Sequence, residues 1–330
     1  MTKAMTPSLA IIMRTKDRPV LLGRALESVF SQTSDDWHLY LVNDVGDIDP
    51  VRNALSGYDE SRVTLIDRQS SKGMESATNA GLNAMQGEPY FAIHDDDDTW
   101  HPTFVEKMLA KTQERPDAIG VSCGCAFIEE RMEDPKKLPV FVKEHQAFTI
   151  KPLTIDVILF SNPLPPIALI YRSSLIDRIG FFNEDMDVVG DWEFMLRAIH
   201  EGDIAFCPHW LARYCVRDTA GPDGNSIRVS KDRHRERLSE LLVSMERKCL
   251  DNPEMTGLLV ALSRVIHTGF GSVYKAMQVN AENSEKIIKQ NEVILQQNRE
   301  ILSLFRQNTP KAPQDRLTAV LEPHFPRPRS

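Results

Sequence analysis

Tyr90-Phe91-Ala92-Ile93-His94-Asp95-Asp96-Asp97-Asp98 is an apolar run that ends in four consecutive carboxylates, and Thr99-Trp100-His101-Pro102 follows it. The apolar half reads as a buried strand and the residues after the acids as the entry to a helix. That order places the acids at the carboxyl end of a strand, the edge at which open α/β sheets bind their ligands. Neighbouring carboxylates repel one another strongly once water is thinned out, so the cluster requires either full solvation or a cation. In an extended chain Asp95 and Asp97 point to one side, and Asp96 and Asp98 to the other. Oxygen ligands at that spacing suit a hard divalent ion such as Mg²⁺ or Mn²⁺, itself bridging to substrate phosphates. A solvated acidic turn is the plainer alternative, because charge runs usually face water.

Outward from this stretch, short β-like runs alternate with helical spacings. Residues 9–13, 39–42 and 63–66 read as strands, while 19–30, 51–55 and 74–85 read as helices. Alternation of this kind implies parallel pairing with right-handed crossovers, hence an α/β fold that is open and doubly wound. Beyond a helix at 104–111 and a strand at 119–127, residues 129–151 are charged and carry Pro135 and Pro139, and read as a loop over the site. Strand character returns at 167–171, 204–206 and 211–216, with a helix at 192–200 between them.

The chain has 330 residues, enough for one large domain and an appendage. Its net charge of −8 argues against a general nucleic-acid binder, which needs excess Lys and Arg. The five cysteines, Cys123, Cys125, Cys207, Cys215 and Cys249, are odd in number and lie mostly in apolar surroundings. They lack zinc-site spacing and point to a reduced, cytoplasmic setting. No signal peptide is visible, and no window reaches the roughly 18 apolar residues that span a bilayer. Residues 258–277, apolar with a few cations, leave peripheral association with the inner membrane face open.

After about residue 228 the pattern changes to a helical extension over 229–308. Within 281–307, Ile287, Ile294 and Ile301 recur at heptad spacing, as do Ile288, Leu295 and Leu302, with Asn291 and Asn298 also one heptad apart. This is the pattern of a short coiled coil, through which the chain would join a second copy or a partner enzyme. An amphipathic helix packed on the domain is the alternative. The tail 309–330 is rich in proline and reads as disordered.

Each of the first, second and fourth strands ends in polar residues: Arg14-Thr15-Lys16-Asp17-Arg18, Asn43-Asp44 and Asp95-Asp96-Asp97-Asp98. Their ends gather on one edge of a parallel sheet. There Asp44 is placed to accept hydrogen bonds from a base or ribose, and Arg14 or Arg18 to donate to a diphosphate. Ile12-Met13-Arg14-Thr15-Lys16-Asp17-Arg18-Pro19, Ser28-Val29-Phe30-Ser31-Gln32-Thr33, Leu41-Val42-Asn43-Asp44, Asn79-Ala80-Gly81-Leu82 and the acidic stretch recur in a set order. Ile179-Gly180-Phe181-Phe182-Asn183-Glu184, Gly190-Asp191-Trp192-Glu193 and Arg213-Tyr214-Cys215-Val216-Arg217 complete it.

In that order the stretches resemble family 2 glycosyltransferases, inverting enzymes of the GT-A fold, and among them the bacterial members that build surface polysaccharides. The resemblance implies a nucleotide-sugar donor, a divalent cation and a glycan or lipid-linked acceptor. It implies that Asp44, Arg14, Arg18, Asp95, Asp96 and Arg217 surround the nucleotide-sugar, that Asp97 with Asp95 holds the metal, and that Asp191 is the catalytic base. The chain departs from the family pattern at three places: Gly190 stands where Glu is usual, Thr78 where Arg is common, and Arg14 where Pro is common. Among lesser candidates, His94 and His101 flank the acids, Trp100 and Trp192 are available for stacking, Glu193 adjoins Asp191, and Asn225 and Ser226 follow Arg217. Two other classes remain open. A sugar nucleotidyltransferase would need a glycine-rich loop after the first strand, and residues 14–19 contain no glycine. A non-catalytic scaffold would use the coiled coil to recruit an enzyme.

Overall fold

A computed structural model describes residues 6–148, 152–154, 157–158 and 162–217, with scattered helical positions between 233 and 300. Apolar residues at consecutive positions make β1 (Leu9–Thr15) a strand covered on both faces, with Leu9, Ala10, Ile11, Ile12 and Met13 fully buried. It pairs in parallel with β2 (Trp37–Asn43) on one side and β4 (Tyr90–Asp95) on the other, and β3 (Val63–Asp67) extends the sheet beyond β2. The crossovers are α1 (Pro19–Phe30), which starts on a proline, α2 (Ile48–Leu55), capped by Asp47, and α3 (Met74–Asn83). Register brings the strand ends level: Thr15 lies opposite Asn43, and Arg14 opposite Asp95. One edge of the sheet therefore carries the ends of all three strands.

The second half adds β5 (Thr99–Trp100), α4 (Phe104–Glu114), β6 (Gly120–Arg131), β7 (Val140–Phe148), β8 (Leu169–Arg172), α5 (Ser174–Ile179), α6 (Gly190–Ala198) and β9 (Ile204–Arg217). The strand order is β3-β2-β1-β4-β8-β6-β9-β5, with β7 paired to β6. The sheet is parallel through its first four strands. β8 runs antiparallel to β4 and β6, while β9 is parallel to β6.

Three local expectations are corrected. Residues 129–151 are not a plain loop: β6 continues to Arg131, and β7 returns antiparallel to it, with Arg131 opposite Val140. Pro135 and Pro139 sit in the turn between these strands, where no ladder N–H is needed, so their breaking signal marked a hairpin tip. The runs at 204–206 and 211–216 are one strand, β9, whose register against β6 shifts around Gly124; Pro208 and His209 fall at that irregularity. Finally, the four aspartates are not extended. The chain turns after Asp95, and the Asp98 N–H donates to the Asp95 carbonyl at 3.3 Å, so alternate acids do not take opposite sides.

The chain divides into two compact units, Met1–Glu246 and Arg247–Ser330. In the first, helical Arg233 and Arg237 both bind Asp187, each at 2.7 Å, just ahead of α6. In the second, helical Lys286, Lys289, Glu292, Val293 and Glu300 are exposed. The heptad residues Ile287, Ile288, Asn291, Ile294, Leu295, Asn298, Ile301 and Leu302, the stretch 258–277 and the tail 309–330 lie outside the described residues. The four described cysteines are free and buried. No described helix is long and apolar enough to cross a membrane.

Close packing of α3 on the sheet depends on Gly81, where an added Cβ would stand 2.5 Å from Ile12 Cγ2 and 3.3 Å from Val42 Cγ2. Gly81→Val should destabilise the domain by about 2 kcal/mol through overpacking, read as a lower denaturant midpoint with an unchanged slope.

Candidate active site

The acidic turn is threaded by guanidinium groups. Arg14, at the end of β1, donates from Nε to Asp95 Oδ1 at 3.0 Å and from Nη1 to Thr78 Oγ1 at 2.6 Å. Arg18, one residue before α1, forms an ion pair with Asp96 and reaches Asp97 Oδ2 at 3.4 Å. One guanidinium thus holds two consecutive acids, which an extended run would have kept apart. Arg24 in α1 pairs with Glu130 of β6 and donates to the Asp97 carbonyl at 2.5 Å. Arg217, at the end of β9, is fully buried, pairs with Asp97 and bonds Glu130 Oε2 at 2.9 Å. Asp98 is fully buried; its Oδ1 accepts the Cys215 N–H at 2.7 Å, and its Oδ2 has no partner among the described residues.

These environments separate the four acids. Burial pushes Asp98 well above the ordinary carboxyl range, and the Asp97 and Asp95 charges push it further. Burial also lifts Asp96 to about 6 against the pull of Arg18. At Asp97 burial acts in the same direction, but Arg18 and Arg217 outweigh it and hold the carboxyl below its usual value. Asp97 is thus the ionised centre of the turn.

Asp44 follows β2, and its N–H bonds the Thr15 carbonyl at 2.9 Å, which ties it to the end of β1. Its carboxylate pairs with Arg68 and accepts from Ser71 Oγ at 2.6 Å, while Arg68 also bonds Ser76 Oγ at 2.8 Å. Asp191 is the second residue of α6, so it lies in the first turn of the helix, where the dipole favours an anion. Asn162 donates to Asp191 Oδ2 at 2.9 Å. Asp191 also borders an apolar hollow lined by Ile93, Leu164, Tyr171, Phe182 and Met195. Burial raises its carboxyl above the ordinary value, opposed by the Asn162 hydrogen bond.

Near Asp191 stands Glu75, from the first turn of α3. It is 3% exposed, and its nearest cation is Arg14 Nη1 at 3.7 Å from Oε2. Burial lifts Glu75 to about 7 against the pull of Arg14, with Asp191, Asp95 and Glu193 adding to the rise.

Several lesser candidates take structural roles. His94 is buried edge-on against Trp100, its Nδ1 is 2.8 Å from the Asp95 carbonyl, and burial lowers it to about 4, so it is neutral. His101 Nδ1 meets Thr103 Oγ1 at the entry to α4. Trp100 stacks on Phe104 and donates to the Ile167 carbonyl, and Trp192 is buried with its N–H on the Ile158 carbonyl. Glu193 pairs with Arg197 one turn along α6. Asn225 and Ser226 lie outside the described residues. Sequence reasoning missed Arg24, Arg68, Glu75, Glu130 and Asn162. Arg24 left a signal, a lone cation beside the buried face of α1 formed by Leu21, Leu22, Ala25 and Leu26.

The backbone is strained beside these groups. The described non-glycine residues with positive φ are Asp17, Val45 and Val189, at 54°, 65° and 57°. They adjoin Arg18, Asp44 and the start of α6. A β-branched residue takes this conformation only when its surroundings over-determine it, and such strain clusters at functional sites.

Glycosyl transferase family 2 is the family whose sequence model matches residues 10–175. The chain is 29% identical over 237 residues to "Uncharacterized glycosyltransferase YwdF" of Bacillus subtilis (strain 168), covering 70% of this chain and 83% of YwdF. It is 34% identical over 102 residues to the succinoglycan biosynthesis protein ExoW of Rhizobium meliloti (strain 1021), 30% of this chain and 31% of ExoW. A crystal structure of residues 1-349 of S. aureus TarS in complex with UDP-GlcNAc resembles it with a TM-score of 0.52 at 14% identity, over 66% of this chain and 61% of that one. The last likeness is one of fold.

A carboxyl raised by folding is stabilising when protonated, so its contribution is present below its unfolded value and lost as pH rises through its folded one. For Glu75 that window runs from 4.5 to about 7. Glu75→Gln should remove this loss and make the protein more stable than wild type at pH 8, by roughly 3 kcal/mol. Chemical denaturation at pH 5 and pH 8 checks the sign.

Proposed function

The chain belongs to glycosyl transferase family 2, and on that premise we propose that it moves a sugar from a nucleotide-sugar to a glycan or lipid-linked acceptor with inversion at the anomeric carbon. The observation that carries this reading is the register that gathers Asp44, the acidic turn and Arg14 on one sheet edge, with Asp191 close enough to Arg14 and Asp95 to feel their charges. Asp44, held by Arg68 and Ser71, meets the nucleoside. Arg18, whose side chain is 20% exposed, and Arg14 are the guanidiniums nearest an incoming diphosphate. Arg217 anchors Asp97 from the protein side. A UDP-sugar is the first donor to test, because the TarS neighbour is in complex with UDP-GlcNAc. The ExoW likeness supports an acceptor in surface-polysaccharide assembly.

Asp191 takes the proton of the acceptor hydroxyl. The acceptor oxygen bonds to the anomeric carbon from the face opposite the phosphate, the sugar–phosphate bond breaks, and its electron pair leaves with the nucleoside diphosphate. A carboxylate whose pKa is raised by burial is the stronger base for this step. The apolar lining of the neighbouring hollow disfavours water that would compete with the acceptor.

The donor set fits a hard cation. Asp95, Asp96, Asp97, Asp98, Glu130, Glu75 and Asp191 face Arg14, Arg18, Arg24 and Arg217, so carboxyl groups outnumber guanidiniums. Among the described residues no three acids, histidines or cysteines converge on one point. Mg²⁺ and Mn²⁺ sites of this kind use one or two carboxylates and complete their shell with substrate phosphates and water. Asp97 with Asp95 would hold the ion, which when bound acts as a Lewis acid on the leaving diphosphate.

Asp191→Asn should lower turnover about a thousandfold while thermal stabilisation by UDP-GlcNAc or another nucleotide-sugar persists. Full transfer by the variant would remove Asp191 as base, and retention of configuration in the product would rule out a single displacement. Excess EDTA should abolish transfer and added Mn²⁺ restore it; activity unchanged in EDTA would sink the metal assignment.

A further inference from the structure

Glu75 is a buried acid at the site for which the transfer reaction has so far supplied no task. Its Oε2 has no hydrogen-bond partner among the described residues, and its charge is met only by Arg14 at 3.7 Å. Its carboxylate lies against Gly190, next in sequence to Asp191. A Cβ added at Gly190 would stand 2.5 Å from Glu75 Oε1, 2.6 Å from Cδ and 2.7 Å from Cγ. Gly190 does not have the positive φ that would demand glycine, so the obstacle to a side chain there is the Glu75 carboxylate itself.

We infer that Glu75 is a positioning residue for sugar transfer: α3 delivers its carboxylate into the space beside Gly190, where it occupies Arg14 and leaves Asp191, held by the Asn162 amide and by no guanidinium among the described residues, to accept the acceptor proton. The inference rests on Asp191 being the base. Arg14 is close enough to Asp191 for their charges to interact, yet its hydrogen bonds go to Asp95 and Thr78 and its second ion pair to Glu75. Without Glu75, Arg14 is free to swing onto Asp191, and a carboxylate bound to a guanidinium is a poor base. Packing alone does not account for Glu75. An uncompensated buried carboxylate oxygen costs stability that a neutral side chain of the same shape would avoid.

Glu75 and Gly190 also account for one departure noted in the sequence. The acid missing at position 190 is replaced, in nearly the same space, by an acid from another helix. Arg14 stands in the same relation to Thr78, at 2.6 Å.

The test moves the carboxylate back. Folding of each variant is checked by melting temperature, and turnover is measured with saturating donor beside Asp191→Asn as reference. Glu75→Ala should lower kcat at least about tenfold with donor KM within about threefold of wild type. Gly190→Glu should also be impaired, because two carboxyls then compete for one space. The double variant E75A/G190E should recover kcat to within about threefold of wild type, whereas E75A/G190Q, which fills the same volume without charge, should not. Wild-type kcat in Glu75→Ala, or equal rescue by Gln and Glu at position 190, overturns the inference. If the alanine variants fail to fold, Glu75→Gln decides: a tenfold loss of kcat in a folded protein supports it, and unchanged kcat overturns it. Transfer persisting in Asp191→Asn overturns both the base and its positioning; an inactive Asp191→Asn with a fully active Glu75→Gln overturns the positioning alone.

Discussion

Negative charge crowded at one sheet edge is the constraint around which the rest of the molecule is arranged. The four aspartates at 95–98 are mostly withdrawn from water, so they fold only if cations arrive from elsewhere in the chain. Those cations come from far away in sequence. Arg14, Arg18 and Arg24 precede the turn by more than seventy residues, and Arg217 follows it by more than one hundred. The turn's charges therefore meet their guanidinium partners only where β1, α1 and β9 come together. Ion pairs of this kind return little net stability, because desolvation offsets their attraction. Stability comes from the apolar strands beneath, with Leu9, Ile11, Ile12, Met13, Leu39, Leu41 and Phe91 fully buried; the charges instead specify a unique geometry at the edge.

The parallel half of the fold was legible because its signal is local. A continuous apolar run identifies β1, β2 and β4, and α1 runs over the 19–30 that its spacing indicates. The antiparallel additions were less so. The β6–β7 hairpin carries charge on its outer face and prolines at its tip, so its composition imitates a loop, while its pairing is visible only in three dimensions. The candidate acids could be named from their places after strands, but their partners could not. Nothing near Asp97 announces that Arg24 and Arg217 will hold it, and nothing near Asp44 announces Arg68. The turn at Asp95 was missed for a related reason: four like residues carry no pattern that distinguishes an extended chain from a bend.

Strain and misplaced charge concentrate at this same edge. Val45 and Val189 hold left-handed backbone, and Asp98 and Glu75 are each buried with an unpartnered carboxyl oxygen among the described residues. Each costs free energy that the apolar core must offset, and each adjoins Asp44, the acidic turn or Asp191. Residues chosen for stability alone would have avoided all of them. Their grouping sets this edge apart from the apolar strands beneath it.

The departures from the family pattern follow the same logic when read in space. Position by position, Gly190 and Thr78 read as charges lost from the pattern that the sequence resembles, and Arg14 as a charge gained. In three dimensions, Arg14 sits on Thr78, Glu75 fills the space beside Gly190, and the two are 3.7 Å apart. An arginine and a glutamate are both present, carried by β1 and α3. Long-range electrostatics constrains where a charge is, and only loosely which residue of the chain bears it. A site of this kind tolerates relocation so long as charge and geometry move together, and for that reason a sequence match can fall at several positions while the set of acids and cations at the sheet edge stays whole.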